Sequence, residues 1–406
     1  MEWISLEKAQ ELILSKTSPI EEIQRLPLNK ALGFIAGETI HAPMDNPPFD
    51  RSPLDGFALR SGDTPTASAD KPVRLRITGV VYAGGVFERP LVPGEAVRIM
   101  TGAAMPLGAD CMVPLEDVRT EAGELLVFRP VKAQENYVFR GEDIPKGEPL
   151  VQEGEWLGAV HLGLLASMGM DTVPVLRAPR IGLLCTGDEL TPAGQPLAPG
   201  KIYSSNDTML SARLEEFGFH ARLLPAMADD AATVAARIAA EAGNLDMFIT
   251  TGAVSVGDKD IMPEVFTLLG AEQLFWRVAF KPGSAVLCGV YRNTLLLCLS
   301  GNPFASFTSF ELLARPALAK LARRRDLETR RILARLKDPF LKKSPTRRFI
   351  RAKLTEPENR DLPFVSLPEG HSSGQIRSLL GCNCFVDIPA QSTALNEGSE
   401  VEVVLF

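Results

Sequence analysis

Hydrophobic and polar positions follow a different period in successive parts of this 406-residue chain. In residues 5–16 apolar side chains recur every three or four positions, which predicts an amphipathic helix with Ser5 as its N-cap. Residues 73–131 hold short β-branched runs separated by turns, which indicates a small β domain. Residues 155–168 predict a second helix that ends at Gly169.

From residue 181 the pattern changes to strands that alternate with helices. The strands are continuous apolar runs such as "IGLLC" and "TLLLCL", which are typical of a parallel sheet covered on both faces by helices. One long helix is predicted over residues 305–324 at the end of this part. From about residue 345 the pattern returns to short strands, which predicts a second all-β unit.

Small and charged residues cluster where these strands end. The clusters are "TGDEL", "ADD", "TTGAVSVGDKD", "KPGS" and "SGNP". Any one of them is typical of an ordinary turn. However, ligands of open parallel α/β sheets bind beyond the carboxyl ends of the strands, where these clusters converge. Glycines let backbone N–H groups approach an anion, and carboxylates hold Mg²⁺, so we expect a crevice for an anion and a metal.

Charge and composition exclude several classes of protein. The formal net charge is −7, which argues against broad nucleic-acid binding. The N-terminal residues lack a basic-then-apolar signal pattern, and no apolar run reaches the roughly 18–20 residues of a membrane span. We therefore expect a cytoplasmic protein without membrane contacts. Most of the six cysteines lie in apolar runs and are expected to be buried thiols, and no two of the four histidines have zinc-ligand spacing.

Seven motifs occur in an order that resembles one known family. They are "RSPLDGFALR", "RIMTGAAMP", "RGEDI", "LLCTGDEL", "TTGAVSVGDKD", "KPG" and "SGNP". From about residue 5 to 406 the chain resembles the MoeA/gephyrin E-domain family, the molybdopterin molybdenumtransferases or molybdenum insertases. The order of the seven motifs makes the resemblance specific, whereas each alone is weak.

The resemblance implies a multidomain α/β plus β fold and an elongated homodimer. Its central domain is a doubly wound α/β domain like those of the molybdopterin adenylyltransferases such as MogA. The implied domains are an elongated linking and dimerisation domain (1–45 with 144–177), a small β domain (46–143), a molybdopterin-binding α/β domain (178–328) and a C-terminal β-barrel-like domain (329–406).

The resemblance also implies a reaction. Family members bind adenylylated molybdopterin and molybdate, insert molybdenum into the dithiolene with Mg²⁺, and release AMP. Loops of the partner subunit's β domain complete each site. A molybdopterin adenylyltransferase and molybdoenzymes or their chaperones are the implied protein partners. Two alternatives stay open: a molybdopterin adenylyltransferase, since the α/β domain is shared, and a non-catalytic protein that stores molybdopterin.

Site residues follow from matching the motifs position by position. The implied catalytic residues are Asp55, Thr101, Asp143, Glu189 and Lys281. The implied pterin- and nucleotide-binding residues are Thr186, Gly187, Gly252, Ser255, Gly257, Arg277, Lys281, Gly301, Asn302, Pro303, Arg351 and Ser373. The implied metal ligands are Glu189, Asp229 and Asp260, with Asp230 as a rival of Asp229.

Several of these residues also have a purely structural interpretation. Asp55 and Glu189 are candidates for turn caps, and Asp260 for the N-cap of the next helix. Thr101 is a candidate for a hydroxyl that satisfies the backbone at a strand end. Lys281 and Arg351 are candidates for solvated surface charges.

Three positions depart from the family pattern. Ala253 replaces a second glycine, and its Cβ is expected to require a negative φ. Ser284 stands where a second lysine after "KPG" is common, and Val138 stands where arginine is frequent, although Arg140 is close. A milder departure is Ser300 in place of a proline. Because two of the lost features are cationic, we expect weaker binding of molybdate or pterin, or a paralogue with an altered substrate.

Overall fold

The computed structural model describes residues 3–255, 260–356, 362–368, 370 and 372–406. The chain forms two compact units, each described here by itself. The α/β–barrel unit comprises Met1–Gln24, Gly33–Gly37 and Pro174–Phe406. The N-terminal β unit comprises Arg25–Leu32 and Glu38–Val173. The finer division into four domains stays a prediction.

The described residues contain the following regular elements. The α-helices are α1 Leu6–Ser15, α2 Ala159–Ser167, α3 Asn206–Glu216, α4 Ala231–Ala242, α5 Met262–Leu269, α6 Pro303–Ser309 and α7 Arg315–Leu321. The first strands are β1 Ile23–Pro27, β2 Ile40–His41, β3 Gly56–Leu59, β4 Val73–Val81, β5 Glu95–Ile99, β6 Cys111–Pro114, β7 Val118–Glu121, β8 Glu124–Val127, β9 Pro149–Val151 and β10 Thr172–Leu176. The later strands are β11 Ile181–Cys185, β12 Leu190–Thr191, β13 Ile202–Tyr203, β14 Ala221–Leu223, β15 Met247–Thr251, β16 Glu272–Trp276, β17 Phe280–Lys281, β18 Leu287–Tyr291, β19 Thr294–Leu299, β20 Arg331–Leu336, β21 Arg347–Thr355, β22 Phe364–Ser366, β23 Cys384–Ile388 and β24 Glu400–Leu405.

A six-stranded sheet with the order β14-β11-β15-β19-β18-β16 forms the α/β part. Strands β14, β11, β15 and β19 are mutually parallel, whereas β18 runs antiparallel to both of its neighbours. The sheet is therefore mixed, and the prediction of a parallel sheet was wrong for β18. The cause is a tight hairpin at Arg292 and Asn293, which both adopt positive φ (49° and 68°), as this turn type requires.

Helices cover both faces of this sheet, as predicted. One apolar core packs α1, α3 and α6 against the sheet, and a second core packs α4 and α5 against the opposite face. Helix α1 begins at the predicted cap, because Ser5 Oγ accepts a hydrogen bond from the backbone N–H of Lys8. The strands thus lie buried between two helical layers, which explains their continuous apolar runs.

The long helix predicted over residues 305–324 contains an irregular segment. Helices α6 and α7 are joined by a π-helical segment, Phe310–Ala314. Within it Glu311, which is 2% exposed, accepts hydrogen bonds from Arg213 Nε (2.6 Å) and Arg315 Nη1 (3.0 Å). Arg315 Nη1 also donates to the carbonyl of Leu405 at 2.9 Å. This buried network links the helix to β24, the last strand of the chain.

The C-terminal part is a closed five-stranded barrel, which confirms the predicted barrel-like domain. Its strands follow the order β21-β22-β20-β24-β23, and β23 pairs again with β21. Strand β17 of the α/β part extends this barrel, because it pairs in parallel with the start of β21. The α/β part and the barrel are therefore joined by backbone hydrogen bonds as well as by side chains.

The N-terminal β unit contains the predicted small β domain. Its six-stranded sheet has the order β6-β3-β5-β4-β8-β7, with a separate apolar core on each face. Strands β2 and β9 pair beside helix α2. The helix ends before Gly169, which has a positive φ of 77°. Glycine suits this left-handed position after a helix end.

Five of the six cysteines are buried free thiols and Cys382 is half-buried. Burial raises the pKa of Cys298 and of Cys384 to about 12. In the part of the chain that the structure describes, no helix combines the length and the apolar character needed to cross a membrane.

Candidate functional site

Two acidic loops of the sheet hold each other at its carboxyl edge. Thr186 bridges to Met227 beyond the ends of β11 and β14, and the Gly187 N–H donates to the Met227 carbonyl at 3.0 Å. The Asp188 N–H points to Asp229 Oδ2 at 3.4 Å, and the Asp229 N–H donates to Asp188 Oδ1 at 3.2 Å. The predicted residues Thr186, Gly187 and Asp229 therefore lie together.

Glu189 folds back over the loop that carries it. A Cβ atom at Gly187 would lie 2.7 Å from Glu189 Oε2, which is closer than real Cβ contacts. Glycine at this position therefore permits the carboxylate of Glu189 to lie against the turn.

Asp229 and its rival Asp230 have different surroundings. Asp230 is the N-cap of α4, where its Oδ1 accepts the backbone N–H of Thr233 at 2.8 Å. Hydrogen bonds from the side chain of Thr233 and then from its backbone N–H lower the pKa of Asp230. Asp229 instead lies on the loop beside Asp188. The structure thus gives Asp230 a capping role and leaves Asp229 as the better candidate ligand.

Glycines allow three loops to meet at the same edge. A Cβ atom on Gly252 would lie 2.1 Å from the Thr186 carbonyl oxygen, and a Cβ atom on Gly301 would lie 3.5 Å from the Gly252 Cα, in ordinary van der Waals contact. Asn206 Nδ2 donates to the Gly301 carbonyl at 2.8 Å and fixes that turn to α3. The predicted convergence of the loops after β11, β15 and β19 is therefore present.

The loop after β15 differs in two ways from what the sequence predicts. Ala253 adopts a φ of +50°, so the expectation of a negative φ was wrong and the backbone keeps the left-handed conformation in spite of the Cβ. Asp260 Oδ1 accepts the N–H of Ser255 at 2.8 Å, whereas Ile261 occupies the N-cap position of α5. Asp260 therefore closes the loop instead of capping the helix. Gly257 lies outside the described residues.

A cavity of about 650 Å³ lies between the α/β part and the barrel. Four predicted residues line it: Lys281, Ser255, Asn302 and Ser373. Both Ser284 and Ser300, two of the departures from the family pattern, line it as well. Lys342 and Arg348 add two more cations, and among the described residues no carboxylate lines the cavity. Three cations and several hydroxyls without an acid form a site suited to an oxyanion.

The start of α6 joins the two walls of this cavity. Asn302 is the N-cap residue and Pro303 is the first helical residue. The backbone N–H of Phe304 donates to the carbonyl of Ser373 at 3.1 Å. This bond brings the Ser373 hydroxyl of the barrel to the same cavity as Asn302.

Arg351 is fully buried, so its interpretation as a surface charge was wrong. Its guanidinium lies 4.0 Å from the centre of the Phe304 ring, and Nη2 donates to the carbonyls of Gly370 and Ser372 at 3.1 Å each. Burial lowers the pKa of Arg351. Arg351 therefore holds the segment that carries Ser373, although it does not line the cavity itself.

Arg277 is not brought to this cavity. It lies near two indole rings, 5.9 Å from the ring centre of Trp3 and 5.1 Å from that of Trp276, with a positive φ of 79°. The structure gives it aromatic neighbours and does not place it among the residues that line the cavity.

In the N-terminal β unit, Asp55 and Thr101 form a close pair. Asp55 Oδ1 accepts both the backbone N–H and the hydroxyl of Thr101 at 2.7 Å each, and these bonds, the backbone one first, lower the pKa of Asp55. Asp143 accepts Asn46 Nδ2 at 3.0 Å. The Thr101 hydroxyl thus serves Asp55 and not the backbone.

Val138 and Arg140, near the third departure, also have defined roles. Val138 forms a backbone bridge to Arg51, and Arg140 Nε donates to Asp45 Oδ2 at 2.6 Å. The charge of Arg140 is therefore already paired and does not replace an arginine at position 138.

Comparison with known proteins covers almost the whole chain. Three family models match in sequence: the MoeA N-terminal region (domain I and II) at residues 4–169, a probable molybdopterin binding domain at 182–320 and the MoeA C-terminal region (domain IV) at 333–406. A molybdopterin molybdenumtransferase of Bacillus subtilis (strain 168) is 36% identical over 390 residues, which is 95% of this chain and 90% of the relative. The chain belongs to the MoeA family.

Other relatives and one solved structure agree. A molybdopterin molybdenumtransferase of Staphylococcus aureus (strain COL) is 34% identical over 410 residues, 97% of each chain. The crystal structure of a MoeA molybdopterin biosynthesis protein from Pyrococcus horikosii superimposes with a TM-score of 0.83 at 35% identity and covers 100% of this chain and 99% of its own. The MoeA family is thus shown by sequence and by fold, and with it a role in molybdenum cofactor biosynthesis.

The donor set suits the magnesium expected of a MoeA family member. Glu189, Asp229 and Asp260 offer only oxygen ligands, which Mg²⁺ prefers. In residues 3–255 and the later described segments, no three His, Cys, Asp or Glu side chains are grouped as a metal site. Mg²⁺ commonly uses one or two carboxylates together with substrate phosphates, so these acids fit a metal that arrives with a polyphosphate.

Sequence reasoning missed two cavity residues, Lys342 and Arg348. Both lie in a charged stretch before and within β21, where surface charge is the usual interpretation. The only signal in the sequence is the absence of acids between Lys342 and Arg351, a run that contains five Lys or Arg residues.

Proposed function

We propose that this MoeA family protein is a molybdenum insertase that takes adenylylated molybdopterin and molybdate as substrates. In this reaction the two pterin thiolates replace two oxygen ligands of molybdate, which take up protons and leave as water. A water molecule cleaves the phosphoanhydride bond, so that AMP is released and the other phosphate stays on the pterin. The observation that carries the proposal is the pairing of a cavity without carboxylates and an acidic loop edge at the same end of one sheet. A polyanionic substrate that needs a metal requires both surroundings.

The cavity supplies anion binding in this proposal. Lys281 places a positive charge against the oxyanion, and the hydroxyls of Ser255 and Ser373 and the amide of Asn302 supply hydrogen bonds. Fixed donors of this kind stabilise charge that develops on a leaving phosphate. Thr186, Gly187, Gly252 and Gly301 keep the loop backbones close enough together to approach the phosphates.

The acidic edge binds the metal in this proposal. Glu189, Asp229 and Asp260 would hold Mg²⁺, which offsets the negative charge of the pyrophosphate when bound. Two backbone hydrogen bonds keep these loops in place: the Asp229 N–H donates to Asp188, and the Ser255 N–H donates to Asp260.

The remaining predictions belong to the same proposal and rest on the family resemblance. They are catalytic roles for Asp55, Thr101 and Asp143, pterin contacts for Arg277, a homodimer, a cytoplasmic location and docking of a molybdopterin adenylyltransferase or a recipient molybdoenzyme. The measured molar mass of the purified protein in solution tests the homodimer directly.

The decisive experiment is AMP release from adenylylated molybdopterin by the purified protein with Mg²⁺, with and without molybdate. We expect release that requires both molybdate and Mg²⁺. Asp229→Asn is the matched loss variant, and Asp230→Asn, one residue away in the helix cap, is its control. Release in the absence of molybdate would contradict the insertase.

A second candidate is a pterin-binding paralogue without turnover, which the replacement of a common lysine by Ser284 in the cavity wall favours. It predicts tight binding of the adenylate, no AMP release and no need for Mg²⁺. A molybdopterin adenylyltransferase would instead form the adenylate from molybdopterin and ATP in the same assay.

A further inference from the structure

Two cations of the cavity come from different domains and lie side by side. Lys281 ends β17 of the α/β part, and Arg348 lies near the start of β21 of the barrel. The two strands pair in parallel with Lys281 directly opposite Arg348. Side chains at paired positions point to the same face of a sheet, so both charges face the same cavity, which they line.

Neither charge is neutralised by the part of the protein that the structure describes. Arg348 Nε is buried and donates no hydrogen bond there, and neither Lys281 nor Arg348 has a carboxylate within ion-pair distance. Arg347, the residue before Arg348, is by contrast paired with two carboxylates, those of Asp387 and Glu7. A half-buried guanidinium without a partner beside a second cation is unfavourable unless an anion binds between them.

The position of Arg348 explains one departure from the family pattern. Ser284 lines the same cavity at the position where the family resemblance implies a second lysine, so the turn after β17 carries no cation there. Arg348 supplies a cation to that cavity from the barrel side. Arg348 thus provides from the barrel a positive charge that the family resemblance would place at position 284.

We propose that Arg348 binds the tetrahedral oxyanion substrate together with Lys281, in place of the lysine that the family resemblance implies at position 284. The proposal rests on the proposed function for the identity of the oxyanion, molybdate. A guanidinium presents parallel N–H donors that match two oxygens of a tetrahedral dianion, whereas Lys281 acts as a compact point charge. Because Lys281 and Arg348 belong to different domains, their paired charges come together only when β17 and β21 are paired.

The test measures molybdate binding to the whole chain by isothermal titration calorimetry, without pterin or Mg²⁺. Arg348→Gln should weaken binding by about 10- to 100-fold, since it removes charge-assisted hydrogen bonds. The control Lys353→Gln removes the same charge from the exposed side of β21, outside the cavity, and should change binding less than about twofold.

A double variant tests the exchange of charge between the two domains. Adding Ser284→Lys to Arg348→Gln should recover most of the lost affinity. The control Lys353→Gln should bind molybdate without Ser284→Lys. Thermal unfolding distinguishes anion binding by Arg348 from a purely structural role of this residue. Without anion, Arg348→Gln should melt at the wild-type temperature or above, because a repulsion is removed, and molybdate should raise its melting temperature less.

Three outcomes of the binding and melting experiments would overturn the inference: wild-type affinity in Arg348→Gln, no molybdate binding by the wild-type chain, or a lower melting temperature of Arg348→Gln without anion. The outcome for the insertase is separate. If molybdate binds through Arg348 but AMP is never released, the insertase fails and the inference stands. If Arg348→Gln releases AMP with the wild-type dependence on molybdate concentration, the inference fails and the insertase stands.

Discussion

The acidic edge and the cationic cavity of the α/β–barrel unit satisfy their charges in opposite ways. At the edge, each of three carboxylates already accepts a backbone N–H: Asp188 from Asp229, Asp230 from Thr233 and Asp260 from Ser255. In the cavity, Lys281 and Arg348 face each other without a carboxylate among the described residues. The edge is therefore held in shape by its own backbone, whereas in the proposed function a bound anion balances the positive charge of the cavity.

The two regions also differ in how the chain builds them. The edge comes from successive loops of a single sheet, after β11, β14 and β15. The cavity needs the α/β part and the barrel together. A change in the edge should act on metal use, and a change in the cavity on anion use, so variants can separate the two.

The largest effect is expected from Lys281→Met. It removes the central cation, so molybdate-dependent AMP release should fall by about 100- to 1000-fold, the range for loss of one charge-stabilising donor. Steady-state AMP release checks this, with Lys353→Met as the control for loss of a lysine. If Lys281→Met retained a third of the wild-type rate, the assignment of Lys281 to the site would be wrong.

The next effect separates two neighbouring acids. Asp229→Asn should raise the Mg²⁺ concentration for half-maximal AMP release by about 10-fold or more, because a ligand oxygen is lost. Asp230→Asn should leave that concentration unchanged, since asparagine also caps helices well. Titration of both variants with Mg²⁺ measures this concentration. Equal shifts in the two variants would mean that Asp229 and Asp230 do not differ in their roles.

Arg351→Lys tests the buried support of the cavity. Lysine lacks the planar fork that bonds the carbonyls of Gly370 and Ser372, so the free energy of unfolding should fall by about 2 kcal/mol. Molybdate affinity should fall too, because the segment with Ser373 loses its anchor. Urea unfolding measures the first effect. Arg335→Lys, an exposed arginine of the same barrel, is the control and should stay within about 0.5 kcal/mol.

The smallest effect concerns the acidic loop backbone. Ala253 has a φ of +50°, so Ala253→Gly should stabilise the protein by about 0.5 kcal/mol, and Ala253→Val should destabilise it by more than about 1 kcal/mol. Urea unfolding of the two variants should move in opposite directions from wild type. A stabilised valine variant would show that the positive φ is absent in solution.

Local patterns in the sequence determined much of the fold and half of the site. Ser5 as a helix cap, Gly169 as a helix end and the acidic turns after buried strands follow from interactions within a few residues. Thr186, Gly252 and Gly301 could be placed at one edge because the carboxyl ends of parallel strands meet there. The seven ordered motifs then led to the MoeA family, which the comparisons confirmed.

Tertiary structure alone decided which charges are buried and which are paired. Arg348 lies opposite Lys281 because β17 and β21 pair across two domains, 67 residues apart in the chain (348 minus 281). Arg351 in the same charged stretch is buried under a helix start, whereas Arg347 finds Asp387. The reason is physical: a hydrophobic period records which face of an element is covered, but an ion pair or its absence depends on which distant element covers it.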